Sequence, residues 1–215
     1  MDRKRTVFLL EHGINTLPSD WRDWTNRGAF HVHQHTPHAA QSLEYFAGPL
    51  LAHFLHRRLA RQFGRMLKAY ADARWRVVVA AHSNGTRIAV EGMRAAGWPP
   101  VAELHLLCGA VDADFERNGL NQAVDSGRVG RVVCYAAGRD LAMRVEDTLL
   151  GRRLFGVRSE PLGLYGPLRV RKPLLDSGAV SSHDDAFWRA YGHSGCWRGR
   201  ELDRTMCLVE AGSMT

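Results

Sequence analysis

Cysteine is scarce in this chain: four thiols, at 108, 134, 196 and 207, with no C-x-x-C pair among them. That spacing excludes a disulfide framework and a thiolate-rich zinc site. Cys108 and Cys134 fall inside apolar runs, so buried thiols in a reducing compartment are the expectation, with a Cys196–Cys207 bridge the one pairing left open. Long apolar runs are missing too. None approaches the ~20 residues a membrane helix needs. The charged start Met1-Asp2-Arg3-Lys4-Arg5 leads into an apolar run too short for a secretion signal. No membrane span and a cytoplasmic location follow as expectations. Neither a repeat nor a low-complexity linker divides the chain, so its 215 residues read as a single domain spanning 1–215.

Acidic residues are in deficit, 22 against 29 lysines and arginines, which leaves a net charge of +7. A basic balance attracts anionic partners. No nucleic-acid-binding motif accompanies it and the arginines are scattered, so no specific nucleic-acid partner is expected. Part of the excess lies on one predicted helix. Leu51, Leu55, Leu59, Phe63, Met66 and Tyr70 recur at helical spacing over Pro49 to Ala73, and Arg57, Arg58, Arg61, Arg65 and Lys68 occupy the other face.

Against this background one stretch stands out. Val77-Val78-Val79-Ala80-Ala81 is an apolar run that breaks into His82-Ser83-Asn84-Gly85, and a helix-forming stretch from Ile88 to Ala96 follows. A serine there sits at a strand-to-helix turn, its hydroxyl exposed and the first N–H groups of the next helix aimed at any oxyanion formed beside it. Thr6-Val7-Phe8-Leu9-Leu10 is a second apolar run, ending in Glu11-His12-Gly13-Ile14, and reads as a buried parallel strand. Val101 to Ala110 and Val129 to Ala137 read as further strands. Strands alternating with helices predict an α/β fold with a mostly parallel central sheet and helices on both faces.

The turn around Ser83 resembles the nucleophile elbow of the α/β-hydrolase family, G-x-S-x-G, with Ala81 in place of the first glycine. That resemblance spans roughly Thr6 to Trp197 and implies a serine hydrolase with a minimal cap and no cofactor, acting on a small ester-type substrate. By it, the oxyanion-hole donors are the backbone N–H groups of Asn84 and of Ile14. The triad runs in the order Ser, acid, His. Asp140, just past the strand ending near Ala137, is the implied acid, with Asp112 and Asp114 as alternatives. His193, in Gly192-His193-Ser194, is the implied base, with His183 as the alternative. His12 and His82 flank the oxyanion hole and the nucleophile, and are placed in the pocket as packing or hydrogen-bonding groups.

A second cluster, His31-Val32-His33-Gln34-His35-Thr36-Pro37-His38, reads as a strand with His31, His33 and His35 on one face. A zinc site is geometrically open to such a face, but no carboxylate or cysteine adjoins it. No metal is assigned, and His35 and His38 are expected to face the active-site cleft. Trp21, Trp24, Tyr45 and Phe46 lie in the loops after the first two strands, where they line an acyl pocket or pack surface helices. Gly151 to Gly178 fits no period; a flap over the pocket and an irregular strand with long turns are the two readings. Two functions of other classes stay open beside serine hydrolysis. One is a catalytically inactive hydrolase-like domain binding a partner through its basic surface, and the other is metal-dependent hydrolysis through the histidine cluster.

Overall fold

The computed structural model describes residues 5–13, 24–43, 49–137, 140–148, 160–183, 193 and 200–213. Its centre is built from the apolar runs. Thr6–Glu11 (β1) lies beside Arg76–His82 (β3), in a register running from Thr6 opposite Arg76 to Glu11 opposite Ala81. Val101–Leu107 (β4) and Val129–Tyr135 (β5) extend the sheet on one side of β3, and the short strands Ala39–Ser42 (β2) and Val180–His183 (β6) close its two edges. The order is β2-β1-β3-β4-β5-β6, and every pairing is parallel. Parallel neighbours need crossovers, and helices supply them. The central strands are apolar at nearly every position because both faces of the sheet are covered.

Alternate residues divide between two cores. Val7, Leu9, Val77, Val79, Leu104 and Leu106 pack under Pro49–Asp72 (α2) and Asn84–Ala95 (α3), through Leu59, Phe63, Leu67, Ile88 and Met93. Phe8, Leu10, Val78, Ala80 and Leu107 pack under Trp24–His35 (α1) and the C-terminal helix Arg200–Ser213, through Trp24, Val32, Leu202, Met206 and Val209. Burying each such aliphatic side chain stabilises the fold by about 1.5–3 kcal/mol. The described basic positions of α2, from Arg57 to Lys68, are exposed. Arg58, Arg61, Arg65 and Lys68 line a groove of about 530 Å³ against the end of α3. No helix among the described residues is long and apolar enough to cross a membrane.

Two expectations change. The histidine cluster belongs to a helix: α1 runs through His35, and the strand follows it at Ala39. Trp24, Thr25, Gly28, His31 and Val32 are its buried residues, a helical and not an alternating period, so His33 and His35 turn to solvent while His31 packs toward Asp203 and Glu210. The rings of His31 and His35, one helical turn apart, lie 4.5 Å from each other and tilted by 48°. Among the described residues no three His, Cys, Asp or Glu side chains are grouped as metal ligands.

The second change concerns residues 160–178, the described part of 151–178, which do not form an irregular strand. They make two short helices, Leu162–Tyr165 and Lys172–Asp176, and are tied to the loop after β4 by bridges between Asp112 and Pro161 and between Asp114 and Leu168. His183, the alternative base, is the exposed last residue of β6. Cys207 is a free, exposed thiol, so it forms no bridge with Cys196, while Cys108 and Cys134 are buried. Ile14, Trp21, Tyr45, Phe46 and Cys196 lie outside the described residues.

Candidate active site

In a parallel sheet all strands end on the same side, so loops that are far apart in sequence converge there. β3 delivers Ser83 to this edge. The serine backbone is held at φ 54°, ψ −129°, a conformation sparsely populated by non-glycine residues. The strain is held by its surroundings. Ser83 N–H donates to the Leu107 carbonyl at 3.0 Å, and the Ser83 carbonyl accepts from Ala110 N at 3.1 Å and from the Thr86 hydroxyl at 2.6 Å. Thr86 Oγ1 accepts in turn from Val111 N at 3.1 Å. The elbow is thus pinned to the end of β4.

The end of β1 wedges against the same turn. A Cβ on Gly13 would fall 2.8 Å from Ser83 Cβ, and one on Gly85 would fall 2.5 Å from the His12 carbonyl oxygen and 2.6 Å from that of Glu11. Both glycines are therefore demanded by close approach of two backbone segments, and their φ values are not the reason. Asn84 begins α3, so its backbone N–H belongs to the first turn and has no intrahelical acceptor. The positive end of the α3 dipole points the same way.

β5 delivers the acid. Asp140 is fully buried and caps Leu141–Asp147 (the sixth helix, α6), with Oδ1 accepting from Met143 N at 3.0 Å. Its other oxygen, Oδ2, lies 2.7 Å from His193 Nδ1. The opposite ring nitrogen, His193 Nε2, lies 2.8 Å from Ser83 Oγ. A carboxylate only accepts, so Nδ1 carries the proton and donates to Asp140, leaving Nε2 to accept from the Ser83 hydroxyl. Ser83, His193 and Asp140 form one continuous hydrogen-bonded relay. It joins positions 83, 140 and 193, the residues the elbow resemblance singled out.

The alternatives are occupied elsewhere. Asp114 caps Phe115–Asn118, the fourth helix, accepting from Glu116 N and Arg117 N at 3.1 Å, and pairs with Arg117 and Arg169. Asp112 accepts from Asp114 N and pairs with Arg117. His183 stacks on Tyr135 at 5.1 Å. His12 is buried, with Nδ1 2.8 Å from the Gly13 carbonyl. His35 does not face this edge, because α1 carries the chain back to the start of β2, whose first residues pair with Val7 and Phe8. That is the opposite end of the sheet from Ser83. His38 goes with it, its ring 5.9 Å from Phe8.

Two features had escaped the reading of the sequence. One is Thr86, whose serine-like reach back to a carbonyl three residues earlier is a recurrent local motif and could have been read from S-x-x-T. The other is His82. Its Nε2 lies 2.7 Å from the backbone carbonyl of His193, and its ring is 4.8 Å from the His193 ring and edge-on to Trp24. Burial, with the neighbouring His193 second, pushes its pKa down to about 3, so it is neutral at physiological pH. Beyond the site, burial also lowers the His105 pKa within a polar seam of β4 and β5, where its ring lies 3.0 Å from Tyr135 Oη and 3.3 Å from Glu103. Cys134, buried in β5, has its thiol pKa raised by desolvation.

The six-stranded parallel sheet with helices on both faces defines an α/β protein. A crystal structure of an uncharacterized protein from Bacillus cereus ATCC 10987 is similar, with a TM-score of 0.54 at 14% identity. The match covers 100% of this chain and 60% of that one, so this chain spans about 60% of its length; the likeness is one of fold. No family model matches the sequence, and no curated protein matches it.

Proposed function

We propose that this chain is a serine hydrolase of the α/β-hydrolase type, cleaving an ester, thioester or amide of a small molecule through an acyl-enzyme on Ser83. The observation that carries the reading is the Ser83–His193–Asp140 relay, with separations of 2.8 and 2.7 Å, set at a strained turn. A serine that merely capped a helix would need neither the strain nor an imidazole backed by a buried carboxylate.

In this reading His193 Nε2 takes the hydroxyl proton as Ser83 Oγ forms a bond to the substrate carbonyl carbon. Asp140 holds the imidazole in the tautomer that leaves Nε2 bare, and stabilises the imidazolium that results. The carbonyl oxygen, now an oxyanion, is met by the Asn84 backbone N–H. The resemblance adds the Ile14 N–H, and each such donor lowers the barrier by about 3 kcal/mol. As the bond to the leaving group breaks, His193 returns its proton to that group. A water molecule then gives a proton to His193 while its oxygen attacks the acyl carbon, and Ser83 Oγ recovers the proton as the acid departs. The buried thiols support a reducing compartment, the cytoplasm, as its location.

Treatment with a fluorophosphonate followed by mass mapping tests the proposal. A stoichiometric adduct on Ser83, absent from Ser83→Ala, is the expected result. An unlabelled serine in folded protein, with no turnover of short-chain esters, would overturn it.

A further inference from the structure

A relay of this kind needs its imidazole fixed in two ways: the ring must be turned correctly, and the backbone that carries it must stay in place. Asp140 does the first. For the second, the side chain directly before the nucleophile is in position. His82 leaves the end of β3 on the sheet face that Trp24 covers, and its ring reaches the carbonyl oxygen of His193 at 2.7 Å, across 111 residues of sequence. We propose that His82 is a positioning residue for the catalytic base: its Nε2–H donates to the His193 carbonyl and ties the base to the nucleophile's own strand. This rests on the hydrolase reading of the site, though the bond itself does not.

The chemistry is specific. A carbonyl oxygen only accepts, so the bond requires the proton on Nε2. A neutral imidazole carries one ring proton, so Nδ1 is unprotonated. Neutrality matters because the ring centroids of His82 and His193 are 4.8 Å apart, and a charged His82 would oppose the imidazolium formed on His193 at each turnover. Burial keeps His82 neutral. His193 is then held at three points: carbonyl oxygen on His82, Nδ1 on Asp140, Nε2 on Ser83 Oγ. Catalytic geometry tolerates little slack, since a displacement of about 1 Å can cost roughly 10²-fold in rate.

Two variants and one spectrum test this. Gln ends in an amide nitrogen near the place of imidazole Nε2, whereas the Asn amide ends near Nδ1 and falls short of the His193 carbonyl. His82→Gln is expected to keep kcat within about threefold of the wild type, and His82→Asn to lose about 10²-fold in kcat with KM within about twofold. Equal losses in the two variants, or none in His82→Asn, would overturn the clamp, because a general burial penalty would fall on both alike. In the wild-type protein, nitrogen-15 NMR of labelled histidine, assigned by the resonance lost in His82→Gln, should show His82 protonated at Nε2 and neutral at pH 6. A proton on Nδ1, or a charged ring at that pH, would overturn it as well. The spectrum is read without turnover, so a protein that fails to label at Ser83 yet shows the Nε2–H tautomer would lose the hydrolase reading and keep the clamp.

Discussion

Replacing Asp140 by asparagine separates two jobs that one carboxylate performs. Oδ1 caps α6 through Met143 N at 3.0 Å, and Oδ2 accepts the Nδ1 proton of His193 at 2.7 Å. Asparagine keeps the first oxygen and is as good a cap as aspartate. In place of the second it presents an amide N–H. Facing that donor, His193 Nδ1 must accept, so its proton moves to Nε2 and confronts the Ser83 hydroxyl. The base is then unable to take a proton from serine. The same change in a serine-protease triad lowers kcat by about 10⁴, or roughly 5 kcal/mol of barrier, and a loss of that order is expected here. Turnover of a chromogenic short-chain ester gives the rate, and urea unfolding gives the stability. Asp140→Asn should unfold within ~1 kcal/mol of the wild type, whereas Asp140→Ala loses the cap as well and gives up about 1 kcal/mol more. An Asp140→Asn protein that turns over within tenfold of the wild type would refute the tautomer argument. So would a loss of activity accompanied by a comparable loss of folding.

The wedge at the elbow predicts that Gly85→Ala, whose methyl would meet two carbonyl oxygens at 2.5 and 2.6 Å, lowers unfolding stability by about 1–3 kcal/mol; an unchanged urea midpoint would contradict it. Thr86→Val keeps the shape but strips two hydrogen bonds from the elbow, at 2.6 and 3.1 Å, and should cost about 2 kcal/mol in the same assay, with a refutation if the loss is nil. Acid should weaken the fold through its buried imidazoles. His82 and His105 both have lowered pKa values when folded, so their contribution is complete above the unfolded value near 6.5 and is lost as pH falls below it, for His82 down to about 3. At pH 5 His82 alone accounts for about 2 kcal/mol. Unfolding midpoints should therefore be level between pH 7 and 8 and decline from pH 6.5 toward 4, with a smaller decline in His82→Gln; a midpoint equal at pH 7 and 5 would disprove buried neutral rings.

Much of this molecule was legible because the strongest signals are local. The run from Val77 to Ala81 announces a buried strand, and the small residues around Ser83 announce the turn after it. What escaped the sequence escaped for physical reasons. Ala39–Ser42 and Val180–His183 contain little that favours a strand, and pair because β1 and β5 offer open edges to them. The alternating histidines of 31–35 imitate strand periodicity, while packing against the C-terminal helix through His31 and Val32 decides for a helix. Residues 160–178 take their path from bridges to Asp112 and Asp114, partners about fifty residues away, which no window on the sequence contains. The His82 bond to His193 is of the same kind.

The backbone around Gly13 and Gly85 has a consequence for how such a protein can change. The turn bearing the serine and the turn after β1 press on each other from both sides, so neither tolerates a side chain that the other does not make room for. Substitutions there should be strongly non-additive, and a viable change at one turn should require a matching change at the other. Grafting residues 81–85 alone onto another parallel sheet would import the serine without the wedge that bends it, and the hydroxyl would relax into an ordinary helix cap.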